Sequence, residues 1–133
     1  MYLRVDQDTT PEDPEFRGAV LHQFGHVLGC LHEHQSPAPA GIECRWDKGV
    51  VYRELKNPPY NWHWTRIWWM MMRKYDGDSK AWHTRWYDPE SVMVYKLPRR
   101  WLKHEPDCDC ADKTKLNTEL SYTDKEFISS IYP

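Results

Sequence analysis

The strongest constraint in this 133-residue chain is the spacing of three histidines in HQFGHVLGCLH, residues 22–32. Residues four apart share one face of a helix, so His22 and His26 can approach one ion from the same side. Gly29 follows three residues later, where a left-handed turn would end the helix and redirect the chain. That return brings His32 round as a third nitrogen donor. Three imidazoles with a fourth position open is a catalytic rather than a structural zinc arrangement. Three His and one Gly at these offsets would arise by accident in a chain of this composition roughly once in a thousand. The segment that carries them reads as a helix from about Pro11 to Leu28. Thr10 is its expected cap, Pro11 its first residue, and Val20, Leu21, Phe24, Val27 and Leu28 its apolar positions.

The rest of the chain must supply a body for this helix. Leu, Ile, Val and Phe make up only about 17% of it, but 8 Trp and 8 Tyr compensate. Each such ring can bury roughly 150–250 Å². A formal net charge of −2 lacks the basic excess expected of a nucleic-acid binder. The longest apolar run, Ile67 to Met72, is six residues, far short of the roughly 20 needed to cross a membrane. Residues 1–20 show no hydrophobic signal core, so the chain is either intracellular or has lost its leader. One domain over residues 1–133 is expected.

Three further elements are legible. Asp47 to Lys56 reads as a short helix capped by Asp47, with Val50, Val51 and Leu55 inward. WHWTRIWWMMMRKY, Trp62 to Tyr75, reads as a second helix whose Trp and Met stripe faces the core. LSYTDKEFISSIYP reads as a closing helix with a capping box from Thr123 to Glu126 and an inward face of Phe127, Ile128 and Ile131. Tyr2 to Val5 could be a strand. The fold class expected is α+β, dominated by helices with few short strands. Four cysteines, Cys30, Cys44, Cys108 and Cys110, allow two disulfides, free thiols or metal ligation. Cys108 and Cys110 are too close in sequence to pair well with each other.

With these residues in view, the chain resembles the metzincin zinc endopeptidases, whose pattern is HExxHxxGxxH followed by a methionine-containing turn. SVMVY, Ser91 to Tyr95, looks like that turn. HEHQSP (His32 to Pro37), YDPESVMVY (Tyr87 to Tyr95) and the ending LSYTD…ISSIYP are similar to the microbial and fungal branch of the astacin family. The resemblance implies the mostly helical lower portion of a zincin-like catalytic domain. It implies Zn²⁺ held by His22, His26 and His32, with Gly29 at the turn and Met93 as a hydrophobic floor. Tyr95 would be an extra, switchable zinc ligand and oxyanion stabiliser, and Glu33 a supporting carboxylate. A peptide or protein substrate, secretion and a monomeric state are expected, with no nucleic-acid or membrane partner.

Two departures qualify that expectation. The family's general base is a Glu directly after the first His, and this chain has Gln23. An amide can orient water but cannot shuttle its proton, and losing a general acid–base typically costs about 10²–10⁴ in rate. The alternative is therefore a zinc-holding pseudopeptidase that binds peptides without cutting them, and an engineered change would read identically. Second, only 21 residues precede His22, enough for one strand and most of the zinc helix. Family members carry a longer sheet there, whose edge strand holds the substrate by strand addition. Without that sheet the apolar side of the zinc helix needs another cover, such as the Trp-rich helix.

Several residues carry plainer expectations. His34 sits at the wrong offset from Gly29 to compete as a ligand. His63, His83 and His104 read as surface or partner-bonded histidines. Asp107 to Cys110 reads as a disulfide-anchored loop, Asp88 as a cap on the methionine turn, and Arg99, Arg100 and Lys103 as a solvated basic patch.

Overall fold

A computed structural model describes residues 10–37, 46–75, 87–103 and 115–133. Four α-helices appear among them: α1 (Pro14–Val27), α2 (Lys48–Lys56), α3 (Trp64–Ile67) and α4 (Tyr122–Ile131). Single 3₁₀ turns lie at Glu33–Gln35 and Arg99–Trp101, and α3 runs on as a π-helical turn over Trp68–Met72. The expected strands are reduced, among the described residues, to one antiparallel bridge between Trp46 and Leu102. Tyr2 to Val5 lies outside the described residues.

Helix α1 starts three residues later than the Thr10-Pro11 pair suggests. Asp13 is its N-cap, accepting the Glu15 N–H at 2.8 Å, and Pro14 is its first residue. The cause is local: a residue before proline is pushed away from helical geometry. Asp13 is accordingly extended (φ −63°, ψ 117°). The buried stripe of α1 also differs from the aliphatic one read in the sequence. It consists of Gly18, His22 and Gly25, spaced at i, i+4 and i+7, while Phe24 and Val27 remain exposed. Absent side chains let other segments approach. A Cβ on Gly18 would lie 2.7 Å from the Asn117 carbonyl oxygen, and one on Gly25 would collide with Met93 Sδ.

Helix α2 forms as its sequence suggests. The Asp47 carboxylate accepts the Val50 N–H at 3.0 Å, and Val51 and Leu55, one turn apart, are buried. The main apolar cluster joins these two to Ile67, Met71, Leu97, Trp101 and Leu102. Burying a side chain of this size stabilises by roughly 1.5–3 kcal/mol. Glu54 fastens the Arg99–Trp101 turn to α2. It takes two hydrogen bonds from Arg100, at 2.7 and 2.9 Å, and one from the Trp101 indole at 2.8 Å. Arg100 is thus paired rather than part of a merely solvated patch.

The Trp-rich segment is shorter and wetter than expected. Only Ile67 and Met71 are fully buried there, whereas Trp64, Trp68, Trp69 and Met70 are exposed. Two positions one turn apart make a narrow stripe, and the helix stops at Met72. Arg66 and Arg73 stack over Trp62 and Trp69 at 4.5 and 4.0 Å from the ring centroids, which offsets part of the exposure. The last carbonyls of a helix need donors from elsewhere, and the 33–35 turn provides them. Gln35 donates to the Trp69 and Arg73 carbonyls at 2.8 and 3.1 Å, and His34 Nε2 to that of Met70 at 3.2 Å. The segment packs against α2 and this turn, so the exposed outer face of α1 is not its partner.

Helix α4 is capped by Ser121 instead of Thr123. The Ser121 hydroxyl accepts the Asp124 N–H at 2.9 Å, and Asp124 accepts the Ser121 N–H at 3.0 Å. The box moves because Asp124 has a second task at the methionine turn. Phe127, Ile128 and Ile131 are half-buried.

Candidate metal centre

The two ligand positions of α1 are followed by a helix stop whose hydrogen bonds form a Schellman motif. The Cys30 N–H reaches the Gly25 carbonyl at 2.9 Å and the Gly29 N–H reaches that of His26 at 3.0 Å. Gly29 adopts φ +89°, a left-handed value that glycine takes without a Cβ clash. The reversal carries His32 back over α1, and its Nε2 lies 3.1 Å from His26 Nε2. One donor atom from each of His22, His26 and His32 falls within 4.8 Å of the others.

The far side of two rings is fixed by carbonyl oxygens. His22 Nδ1 donates to Val92 O at 2.8 Å and His26 Nδ1 to Cys30 O at 3.0 Å. A carbonyl can only accept, so each Nδ1 carries the hydrogen and each Nε2 keeps a lone pair, as metal-binding imidazoles require. His22 is 2% exposed, and its Nε2 has no hydrogen-bond partner. A buried acceptor left this way costs about 1–3 kcal/mol, and a cation shared with the other two rings would satisfy it. Burial, followed by the neighbouring imidazoles, pushes His32 down to about 3. Burial likewise lowers His22. Both rings are therefore neutral and ligand-competent at pH 7. The three imidazoles fit a divalent metal ion.

Around them stand the remaining expected residues. Tyr95 is half-buried, its ring centroid 5.3 Å from that of His32 and 6.5 Å from that of His22. Burial raises its phenol above the usual value, keeping it a neutral donor. Met93 is 3% exposed beneath Gly25. Gln23 is half-buried on α1, directly after His22. Glu33 is buried, unlike an ordinary surface carboxylate. Its backbone N–H reaches Met93 O at 3.1 Å, and its carboxylate lies 3.4 Å from the Asp88 N–H. Burial, with smaller contributions from Asp88 and Asp124, pushes the Glu33 carboxyl up to about 7.

His34 donates its Nε2 hydrogen to Met70 O and is not among the three grouped donors, although its ring stacks on His32 at 5.2 Å. His63 caps α3 through Thr65. Asp88 caps the methionine turn through the Glu90 N–H at 2.9 Å and accepts the Ser121 hydroxyl at 2.6 Å. Cys30, which lies among the described residues, is a free thiol there. Its place after Gly29 turns its Cβ towards Gly25. Cys44, His83, His104 and the Asp107–Cys110 loop lie outside the described residues.

Sequence reasoning missed the scaffold of the methionine turn. Asp124 accepts the Ser91 hydroxyl at 2.6 Å and the Val92 N–H at 2.9 Å. The Asn117 amide donates to the Pro89 and Ser91 carbonyls, each at 2.8 Å. The capping-box signal in LSYTD pointed to Asp124's neighbourhood, two residues off.

No family model matches the chain, and a search of curated proteins returned no match. Among solved structures, that of myroilysin matches with a TM-score of 0.71 and 31% identity, over 97% of this chain. The chain spans 56% of the length of that structure. The fold is metallopeptidase-like, and α1 with the chain reversal after it brings together three histidines able to hold a metal ion.

Proposed function

We propose that the chain is a zinc-dependent metalloendopeptidase domain of the astacin type, with its turnover weakened by Gln23. The observation that carries the reading is the convergence of His22, His26 and His32 on one point, with the buried His22 Nε2 left unpartnered. The likeness to myroilysin over nearly the whole chain supports it.

In this reading His22, His26 and His32 hold zinc. When bound, zinc supplies Lewis acidity, polarising a peptide carbonyl and lowering the pKa of a water towards about 7. Tyr95, kept neutral by burial, donates its phenolic hydrogen to the oxygen on which charge develops. Met93 and Gly25 set the floor on which the rings rest. Gln23 can orient a water through its amide but takes no proton from it at neutral pH. The substrate is a peptide or protein, and the protein is secreted and monomeric.

A quenched-peptide or casein assay on the parent chain and Gln23→Glu, both zinc-loaded, tests the reading. The parent should run near background. The variant should gain about 10²–10⁴-fold and lose that gain to a chelator. A zinc-loaded Gln23→Glu no more active than the parent would remove the general-base argument. It would favour the second reading, a zinc-holding module that binds peptides without cleavage, which Gln23 itself recommends.

A further inference from the structure

We propose that Asp124 and Ser91 are positioning residues for the metal site, acting on His22 through the Val92–Met93 peptide; the inference rests on the reading of the three histidines as metal ligands. The hydrogen bonds form one chain with every donor aimed the same way. His22 Nδ1–H donates to Val92 O at 2.8 Å. The N–H of the same peptide plane, that of Met93, donates to Ser91 Oγ at 3.0 Å. The Ser91 hydroxyl donates to Asp124 Oδ1 at 2.6 Å. The other Asp124 oxygen holds the Val92 N–H at 2.9 Å. Met93, Val92 and Ser91 are all buried.

This arrangement does what a direct carboxylate–histidine contact does elsewhere. A negative charge at the end of an aligned chain polarises each bond along it. Electron density shifts towards His22, fixing its Nδ1–H tautomer and making Nε2 a better donor to a cation. The carboxylate comes from the first turn of α4, so the closing helix bears on a ligand of α1 without touching it. Among the described residues the His26 bond ends at the Cys30 carbonyl, within the helix stop.

Zinc affinity is measured by competition with a chromogenic chelator for the parent, Ser91→Ala, Asp124→Asn, Ser121→Ala and His22→Ala. The His22 tautomer is read by nitrogen-15 NMR on the metal-free chain. Asp124→Asn and Ser91→Ala should each bind zinc about 10–100-fold more weakly and show His22 partly as the Nε2–H tautomer. Ser121→Ala removes the cap of α4 and the hydroxyl bond to Asp88, but none of the bonds from Asp124 to His22. It should lose thermal stability and keep both parental affinity and tautomer, which separates positioning from mere support. If His22→Ala loses zinc while Ser91→Ala and Asp124→Asn keep parental affinity, the inference falls and the metal-site reading stands. If His22→Ala binds as the parent does, both fall. Should Ser91→Ala and Asp124→Asn fail to fold, the parent alone decides: an Nε2–H tautomer for His22 overturns the chain, and Nδ1–H supports it.

Discussion

Replacing Gly18 by alanine should destabilise the protein, although the same change in an ordinary helix stabilises it. Gly18 lies inside α1, and Gly→Ala at an interior helical position gains about 0.8–1.0 kcal/mol. Here the new methyl would stand 2.7 Å from Asn117 O and 3.0 Å from Thr118 Cα. Both are backbone atoms, so no side chain can swing aside. The Asn117 segment is pinned by its two amide bonds to Pro89 and Ser91, each 2.8 Å, so retreat strains the methionine turn. Overpacking of this kind costs about 1–3 kcal/mol. Set against the propensity gain, the net loss is up to about 2 kcal/mol. At this chain length that corresponds to a Tm lower by up to roughly 8 °C. Thermal unfolding by circular dichroism of Gly18→Ala and the parent measures it. A raised Tm, as a free helix face would give, would refute the close approach of residues 117–118 to α1.

Other outcomes follow from the same geometry. Glu54→Ala should lower Tm more than Arg100→Ala, because Glu54 also holds the Trp101 indole and Arg100 is largely exposed. Equal losses by thermal unfolding would show that the indole bond contributes nothing. In chelator, the metal-free chain should lose stability to urea between pH 7 and pH 5. His32 and His34 have folded values near 3 and 4, and His22 is also lowered. Their contribution is full above about 6.5 and lost as pH falls. Glu33, raised to about 7, works the opposite way, its contribution being lost as pH rises through 7. Three imidazoles outweigh one carboxyl, at about 1.4 kcal/mol per pH unit for each net proton. Equal or greater stability at pH 5 would contradict this balance.

The spacing of the candidate ligands was legible in the sequence. His22, His26, Gly29 and His32 converge because helical spacing and a left-handed glycine act within a few residues of chain. Asp47 capped α2 for the same reason. The stripe Gly18–His22–Gly25 was not legible, since an apolar-periodicity rule looks for large side chains, and here the buried face is defined by what approaches it. The Trp-rich segment misled for a related reason. Trp64, Trp68 and Trp69 look like core residues, yet the segment's length is set by His34 and Gln35, which close its carbonyls from another part of the chain. The cap of α4 was placed two residues late because the reason for Ser121 and Asp124 lies at Ser91 and Val92.

X-ray absorption on the zinc-loaded chain tests the metal centre most directly. One zinc per chain is predicted, with three imidazole nitrogens at about 2.0–2.1 Å and a remaining light-atom ligand. A sulfur scatterer at about 2.3 Å, fewer than three imidazoles, or no bound ion at stoichiometric zinc would contradict the account.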